Sequence, residues 1–168
     1  MAILGRIEHL LNKIKKRRTF ELSNYLKPNC VVFLDERSRN DAVKTLTDSL
    51  YESSQIHERA LFTQALLARE TQGSTAIGEG IAVPHTKNKL YNHFFLAIGI
   101  VKGNGLIWDE EHPDPIHFIF LIGGPDNKPE EYLELLSHLT TSVKGRDERA
   151  ALLACATPQE VFDRLSKF

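Results

Sequence analysis

Residues 73–87 read Gly-Ser-Thr-Ala-Ile-Gly-Glu-Gly-Ile-Ala-Val-Pro-His-Thr-Lys, near the middle of the 168-residue chain. Glycine allows positive φ angles and lets the backbone approach a ligand closely. Pro84 lacks an amide donor and favours an extended conformation for Val83, so we expect His85 to follow a stiffened turn rather than to lie in a helix. The pattern predicts a glycine-rich loop that presents one histidine to a ligand.

The composition is typical of one globular domain. Hydrophobic residues make up 42% and charged residues 26% of the chain, and a chain of this length can form a single substantial core. Residues 13–18 hold five of the 21 basic residues, which leaves 16 basic against 22 acidic residues, a formal charge of −6, in the rest. A mildly acidic body argues against nucleic-acid binding, which needs a broad basic surface.

The cysteines indicate the compartment. Cys30 and Cys155 are the only two, which suits a reducing environment better than a disulfide framework, so we expect a cytoplasmic protein. No apolar run reaches the roughly 18–20 residues that a membrane span needs. Cysteine and histidine residues do not have the spacing of zinc ligands, so the sequence predicts no metal site.

Residues 1–21 are predicted to form an amphipathic, basic helical extension. Apolar residues recur at helical spacing within residues 3–14, which favours a helix that docks on the body or on a second subunit, as in a homodimer. The alternative is a helix on a membrane surface, in which residues 3–18 contact lipid and the basic cluster contacts lipid phosphates.

Residues 22–168 are predicted to form one α/β domain. Apolar runs at 31–34, 93–101 and 116–122 are typical of strands, and turns are expected at 26–30 and 123–127. Helical patterns cover about 38–52, 56–70, 129–143 and 146–155, and a last helix starts at 157. The residues expected in the core are Ala60, Leu61, Ala65, Leu66 and Ala68 from the second helix and Leu133, Leu136, Leu139 and Val143 from the third. Because helices and strands interleave, we expect a three-layer α/β/α sandwich with a mixed sheet.

The glycine-rich stretch fits neither nucleotide-binding template. Glu79 stands where a P-loop has lysine, and the third glycine of the dinucleotide fingerprint is missing. Backbone amides, the hydroxyls of Ser74 and Thr75 and the guanidinium of Arg69 can still bind a small dianion. A neutral histidine nitrogen is nucleophilic near pH 7 and can carry a phosphoryl group. On the residues alone, an exposed loop histidine without function remains the alternative.

Arg69-Glu70 followed by residues 74–85, Ser-Thr-Ala-Ile-Gly-Glu-Gly-Ile-Ala-Val-Pro-His, resembles the signature of the fructose/mannitol-type enzyme IIA domain of the bacterial phosphotransferase system. The resemblance extends over about residues 22–168 and is closest to the stand-alone nitrogen-regulatory IIA proteins. It implies that His85 accepts a phosphoryl group from the phosphocarrier HPr or its paralogue, and that Arg69, Ser74 and Thr75 hold that group. The protein would then be a histidine phosphocarrier, a phosphotransferase component without a cofactor.

One position departs from the family pattern. The family usually has a second histidine at the start of the helix after the later strand, and Tyr132 stands at the matching position. Its hydroxyl could still donate a hydrogen bond. His138 lies roughly 240° further round a helix of 3.6 residues per turn, so it should not substitute directly. His117 is another alternative, although a strand histidine bonded only to its neighbours is as reasonable.

The resemblance leaves two functions open. We expect a stand-alone IIA, because neither cysteine lies in the Cys-Pro loop of a IIB domain and the chain has no length for IIB or a membrane-spanning IIC. One function is a phosphorylation-dependent regulator of target proteins; the other is a sugar-uptake component that passes phosphate to a separate IIB protein. Tyr132 favours the regulator, which need not transfer phosphate to sugar. A non-catalytic binding module would require an inert His85, and the retained Arg69, Ser74 and Thr75 argue against it.

Overall fold

The computed structural model describes residues 2–15 and 20–168 of the protein. In these ranges the helices are α1 (Ala2–Lys15), α2 (Arg39–Glu52), α3 (Arg59–Thr71), α4 (Pro129–Ser142), α5 (Arg146–Ala154) and α6 (Pro158–Leu165). The strands are β1 (Leu26–Leu34), β2 (Ala76–Gly78), β3 (Ile81–Ala82), β4 (His85–Lys87), β5 (Phe95–Val101) and β6 (Phe118–Gly124). Helices cover both sides of a mixed sheet, so the predicted α/β/α sandwich is confirmed.

The centre of the sheet is the antiparallel pair β5 and β6, in which every residue is buried. The strand order is β1-β5-β6-β3-β2, with β4 also paired to β6. Strand β1 runs parallel to β5, and both β3 and β4 run parallel to β6. The two long apolar runs of the sequence therefore form the central strands, as predicted, because helices remove both of their faces from water.

Strands β3 and β4 follow one edge of β6 in a single register. Ile81 pairs with Phe118 and His85 pairs with Ile122, which is the same offset along the chain. Between them Pro84 has no N–H to donate, but its carbonyl accepts a hydrogen bond from the amide of Ile122 at 3.0 Å. The predicted turn before His85 is therefore wrong: the histidine begins a strand, and proline interrupts the ladder without changing its direction.

The predicted turn at 26–30 is also wrong, because these residues begin β1. This strand lies at the edge of the sheet, where proline is tolerated because half of the amides have no strand partner. Pro28 lies between Leu26 and Val31, where the register of β1 with β5 shifts.

The predicted turn at 123–127 begins too early, because Gly123 and Gly124 belong to β6. A Cβ atom at Gly123 would collide with the ring of Phe95, and one at Gly124 would collide with the ring of Phe94. These glycines therefore serve the close packing of aromatic rings on the strand rather than a reversal of the chain.

Two leucines predicted to lie in the core, one in α3 and one in α4, are on the surface instead. Leu61 and Leu133 are 61% and 60% exposed, whereas Phe62 and Tyr132 are buried. The difference is local, because Leu66 of α3, Leu139 of α4 and Val143 just after α4 are buried as predicted. At the start of α4, Tyr132 therefore takes the inward position that was predicted for Leu133.

The predicted N-terminal helix is present as α1. Its residues Ile3, Leu4 and Ile7 are exposed, so these side chains do not dock on the body. The basic residues at 16–18 lie outside the described residues, and contact with a second subunit or a membrane surface stays a prediction. Among the described residues, no helix has the length and apolar composition to cross a bilayer.

Candidate functional site

A single cavity contains all five residues that the sequence analysis selected. It has a volume of about 490 Å³ and lies where the end of α3, the loop before β2, the strand β4 and one face of α4 meet. Its lining includes Arg69, Ser74, Thr75, His85 and Tyr132. The sheet and two helices therefore bring together residues that are up to 63 positions apart in the sequence.

The ring of His85 is held in one orientation by its own strand. Its Nδ1 lies 2.9 Å from the carbonyl oxygen of Val83. Because a carbonyl oxygen only accepts, Nδ1 must carry the proton, and in the neutral ring Nε2 keeps a free lone pair. The half-buried imidazole thus offers Nε2 as the nucleophilic atom.

The surroundings of His85 favour its neutral form. Burial is the largest effect and lowers the pKa of His85 below its usual value of 6.5, because the charged form loses hydration. The positive charges of Arg69 and Lys87 lower this pKa further, while the hydrogen bond to Val83 and the charge of Glu70 act in the opposite direction. The net effect is a ring that remains neutral and nucleophilic at pH 7.

Arg69 supplies a fixed positive charge at the edge of the cavity. One guanidinium nitrogen, Nη1, donates to the carbonyl oxygen of Gly73 at 2.9 Å, which ties the end of α3 to the loop after it. Of the ion pairs formed by the described residues, none includes Arg69. The guanidinium therefore has donors available for an anion in the cavity.

Glu70 is buried and organises the loop that carries the two hydroxyls. Its Oε2 accepts hydrogen bonds from the amide of Thr75 and from the indole Nε1 of Trp108, both at 3.2 Å. Its Oε1 accepts the hydroxyl proton of Thr75. One carboxylate thus joins α3, the glycine-rich loop and the loop that contains Trp108.

Ser74 is held in a similar way by Asp109, the residue that follows Trp108 in the chain. Its hydroxyl donates to Oδ2 of Asp109 and accepts a hydrogen bond from the amide of Ala76 at 3.1 Å. Asp109 also accepts two hydrogen bonds from His112, from its amide and its Nδ1, both at 2.8 Å. Burial raises the pKa of Asp109, but the hydrogen bonds from Ser74 and His112 outweigh it and lower the pKa overall.

Tyr132, the predicted counterpart of the family's second histidine, lies beside His85. Its ring centroid lies 5.7 Å from that of His85 and 6.0 Å from that of Phe94. Burial raises the pKa of Tyr132, so its phenol stays protonated. The ammonium nitrogen of Lys87 lies 4.2 Å from the centre of the same ring, a cation–π contact.

The two other histidines considered as substitutes lie elsewhere. Nε2 of His138 lies 2.7 Å from the carbonyl oxygen of Phe168, and its ring stacks on Phe20. Nδ1 of His117 lies 2.7 Å from the carbonyl oxygen of Val101. Neither histidine lines the cavity, so neither lies beside His85 in the place of a second site histidine.

Four residues near the cavity were not recognised from the sequence as part of the site: Glu70, Lys87, Trp108 and Asp109. The long-range bonds of Trp108 and Asp109 cannot be read from local patterns. Lys87 could have been found, because residues two apart on a strand share a face and His85 lies two positions before it.

Comparison with known proteins places the chain in a family. The family model described as "Phosphoenolpyruvate-dependent sugar phosphotransferase system, EIIA 2" matches residues 24–168. The fructose-specific EIIABC component of Bacillus subtilis is 27% identical over 134 residues, which is 80% of this chain but 21% of that protein. This chain therefore spans only about a fifth of that relative.

Two further proteins resemble the chain over most of their own length. A nitrogen regulatory protein of Bradyrhizobium diazoefficiens is 28% identical over 134 residues, covering 79% of this chain and 86% of that protein. The crystal structure of nitrogen regulatory protein IIA-Ntr from Neisseria meningitidis superimposes with a TM-score of 0.76 and 25% identity, over 86% of this chain and 98% of that one. The chain belongs to the EIIA type 2 family, components of the phosphoenolpyruvate-dependent sugar phosphotransferase system.

Proposed function

We propose that this protein is a phosphocarrier that accepts a phosphoryl group on His85 from HPr or a paralogous phosphocarrier, and that its phosphorylation state regulates its binding to target proteins. The observation that carries the proposal is the orientation of His85. The carbonyl of Val83 holds the proton on Nδ1, so that Nε2 is the nucleophile, and Arg69 lines the same cavity.

The bonds that form and break in the transfer involve only the phosphoryl group and the two histidines. The lone pair of Nε2 attacks the phosphorus of the phosphohistidine on the donor protein, the new P–N bond forms as the old one breaks, and the donor imidazole leaves with the electron pair. Nδ1 of His85 keeps its proton, and the carbonyl of Val83 stabilises the positive character that the ring acquires. Negative charge on the phosphoryl oxygens is offset by Arg69, because fixed cations supply most of the catalysis in such transfers.

In this proposal the hydroxyls of Ser74 and Thr75 do not donate hydrogen bonds to the phosphoryl group. Each hydroxyl has a single proton, and those protons are given to Asp109 and Glu70. Either hydroxyl would have to break its bond to a carboxylate before it could donate to a phosphoryl oxygen. We therefore assign to both the positioning of the loop against the cavity, while Arg69 makes the charged contact.

Phosphorylation can be tested with purified components. Incubation with phosphoenolpyruvate, enzyme I and HPr should add the mass of one acid-labile phosphate to the wild-type protein and none to His85→Ala. The phosphocarrier proposal fails if the wild type takes up no phosphate, or if His85→Ala takes up phosphate equally well.

A second candidate is a sugar-uptake component that passes its phosphate to a separate IIB protein. The similarity to the fructose-specific EIIABC component supports it, whereas the nitrogen regulatory relatives, matched over most of their length, support the regulator. Tyr132 also favours the regulator, because a phenol that stays protonated is a poor replacement for a second histidine in onward transfer. Rapid transfer from the phosphorylated protein to the cysteine of a IIB protein would overturn our preference for the regulator.

A further inference from the structure

We propose that Lys87 is a further phosphoryl-binding residue, and that Tyr132 positions its ammonium group beside His85. The inference rests on the proposed phosphorylation of His85 and identifies a second cation at the same site. It also gives the tyrosine a role that depends on its ring and not on its hydroxyl.

The strand places Lys87 on the same face as His85. Side chains alternate between the two faces of a strand. Val83 and His85 both line the cavity, whereas Thr86 lines a separate one. The alternation therefore holds across this segment, and Lys87, two residues after His85, projects on the side of the proposed phosphoryl site.

The ring of Tyr132 connects the two side chains. Its centroid lies 5.7 Å from the ring of His85 and 4.2 Å from the ammonium nitrogen of Lys87. Because Tyr132 is 8% exposed and fixed in α4, it provides a rigid surface for an otherwise flexible lysine. The charge of Lys87 also acts on His85 itself, so we infer that the ammonium group is close enough to contact the oxygens of a phosphoryl group on Nε2.

The charges around the cavity also favour an anion. Within the described ranges, neither Arg69 nor Lys87 forms an ion pair with a carboxylate. Glu70 is the acidic residue whose charge acts on His85, and its oxygens are occupied by Thr75 and Trp108. Two cations without acidic partners beside a neutral histidine would be balanced when a phosphoryl dianion forms there.

The test compares rates of phosphoryl transfer from phosphorylated HPr to variants of the full chain. Lys87→Met should react about 10-fold to 100-fold more slowly, which is less than the roughly 100-fold to 1,000-fold lost with a buried oxyanion donor because Lys87 is exposed. Lys87→Arg, which keeps the charge, should retain most of the rate. Lys89→Met is the matched control, because Lys89 is exposed, lies two residues further on and carries the same charge; its rate should equal that of the wild type.

Variants of Tyr132 distinguish the ring from the hydroxyl. Tyr132→Phe keeps a cation–π surface and should react at close to the wild-type rate. Tyr132→Leu should lose about twofold to fivefold, the rate equivalent of an exposed cation–π contact. In the double variant Lys87→Met/Tyr132→Leu the loss should equal that of Lys87→Met alone, because the ring acts only through the lysine.

An independent measurement is the titration of the His85 imidazole by NMR. Lys87→Met should raise the pKa of His85, because a like charge is removed, and Lys89→Met should not. Circular dichroism confirms that the variants are folded, which is most relevant for the buried Tyr132.

The inference is overturned if Lys87→Met reacts at the wild-type rate, if Lys89→Met loses as much as Lys87→Met, or if Tyr132→Phe loses as much as Tyr132→Leu. These results are distinguishable from failure of the proposed function. If the proposed function fails, the wild type itself takes up no phosphate on His85.

Discussion

Replacement of Glu70 by alanine should strongly destabilise the fold. The carboxylate accepts hydrogen bonds from the amide of Thr75 and the indole of Trp108, and these residues are only 5% and 2% exposed. Glu70→Ala leaves both N–H donors buried and unpaired, at about 1–3 kcal/mol each, so the free energy of unfolding should fall by about 2–6 kcal/mol. That is a large part of the 5–15 kcal/mol or so that stabilises a typical domain.

Glu70→Gln is the matched control. Its carboxamide oxygen can accept from both N–H groups, and its NH₂ group can donate to the hydroxyl of Thr75 once that hydroxyl turns to act as an acceptor. All three contacts then survive without the negative charge, so the loss should be about 1 kcal/mol. The comparison thus separates the hydrogen-bonding role of Glu70 from its charge.

Urea denaturation followed by circular dichroism measures both variants. We expect the slope of the unfolding free energy against urea concentration (the m-value) to be unchanged and the midpoint concentration to be lower. A change in the midpoint alone reports a change in stability. If Glu70→Ala is within about 1 kcal/mol of Glu70→Gln, the unpaired donors do not carry the expected cost, and the role assigned to Glu70 as the organiser of the loop is wrong.

Four further predictions concern the site and its surroundings. Because burial first, and then nearby charges, lower the pKa of His85, the midpoint of its phosphorylation rate against pH should lie below 6.5; a midpoint above this value contradicts the assignment. The unfolded chain binds this proton more tightly, so the stability contributed by His85 is complete above about pH 6.5 and is lost as the pH falls through the folded-state pKa; His85→Gln should remove this slope in denaturation at several pH values. Ser74→Ala and Asp109→Asn should each cost about 1 kcal/mol of unfolding free energy, and the double variant should cost less than their sum because they share one hydrogen bond; additive losses in urea denaturation would show that the bond contributes nothing. A protein without residues 2–18 should be phosphorylated by HPr at the full-length rate, because every cavity residue follows that segment; a slower rate would show that the extension takes part in donor binding.

The sequence predicts the layers of this fold better than its local turns. Continuous apolar runs identify β5 and β6 as central strands, because burial of both faces selects that composition. Glycine and proline are typical of turns, but at three positions they lie in or between strands. Pro28 lies in an edge strand, and Pro84 lies between two strands that follow the same edge of β6. Gly123 lies in a central strand, where it leaves room for an aromatic ring.

For the site, the sequence selects residues that lie together but does not show how they are connected. Arg69, Ser74, Thr75 and His85 follow from a motif of consecutive residues. The carboxylate partners of the two hydroxyls do not follow from it, because Asp109 reaches Ser74 from a loop 35 positions further along the chain. Local patterns contain no information on such contacts, which depend on the packing of the whole domain.

The position of Trp108 gives the protein an intrinsic optical reporter. It is the only tryptophan in the chain, it is almost fully buried, and its indole N–H is bonded to the carboxylate that also holds the loop of the proposed phosphoryl site. Indole emission depends on local polarity and hydrogen bonding, so a rearrangement at Glu70 would change its wavelength or intensity. The state of the site can therefore be followed in real time by fluorescence, without a label.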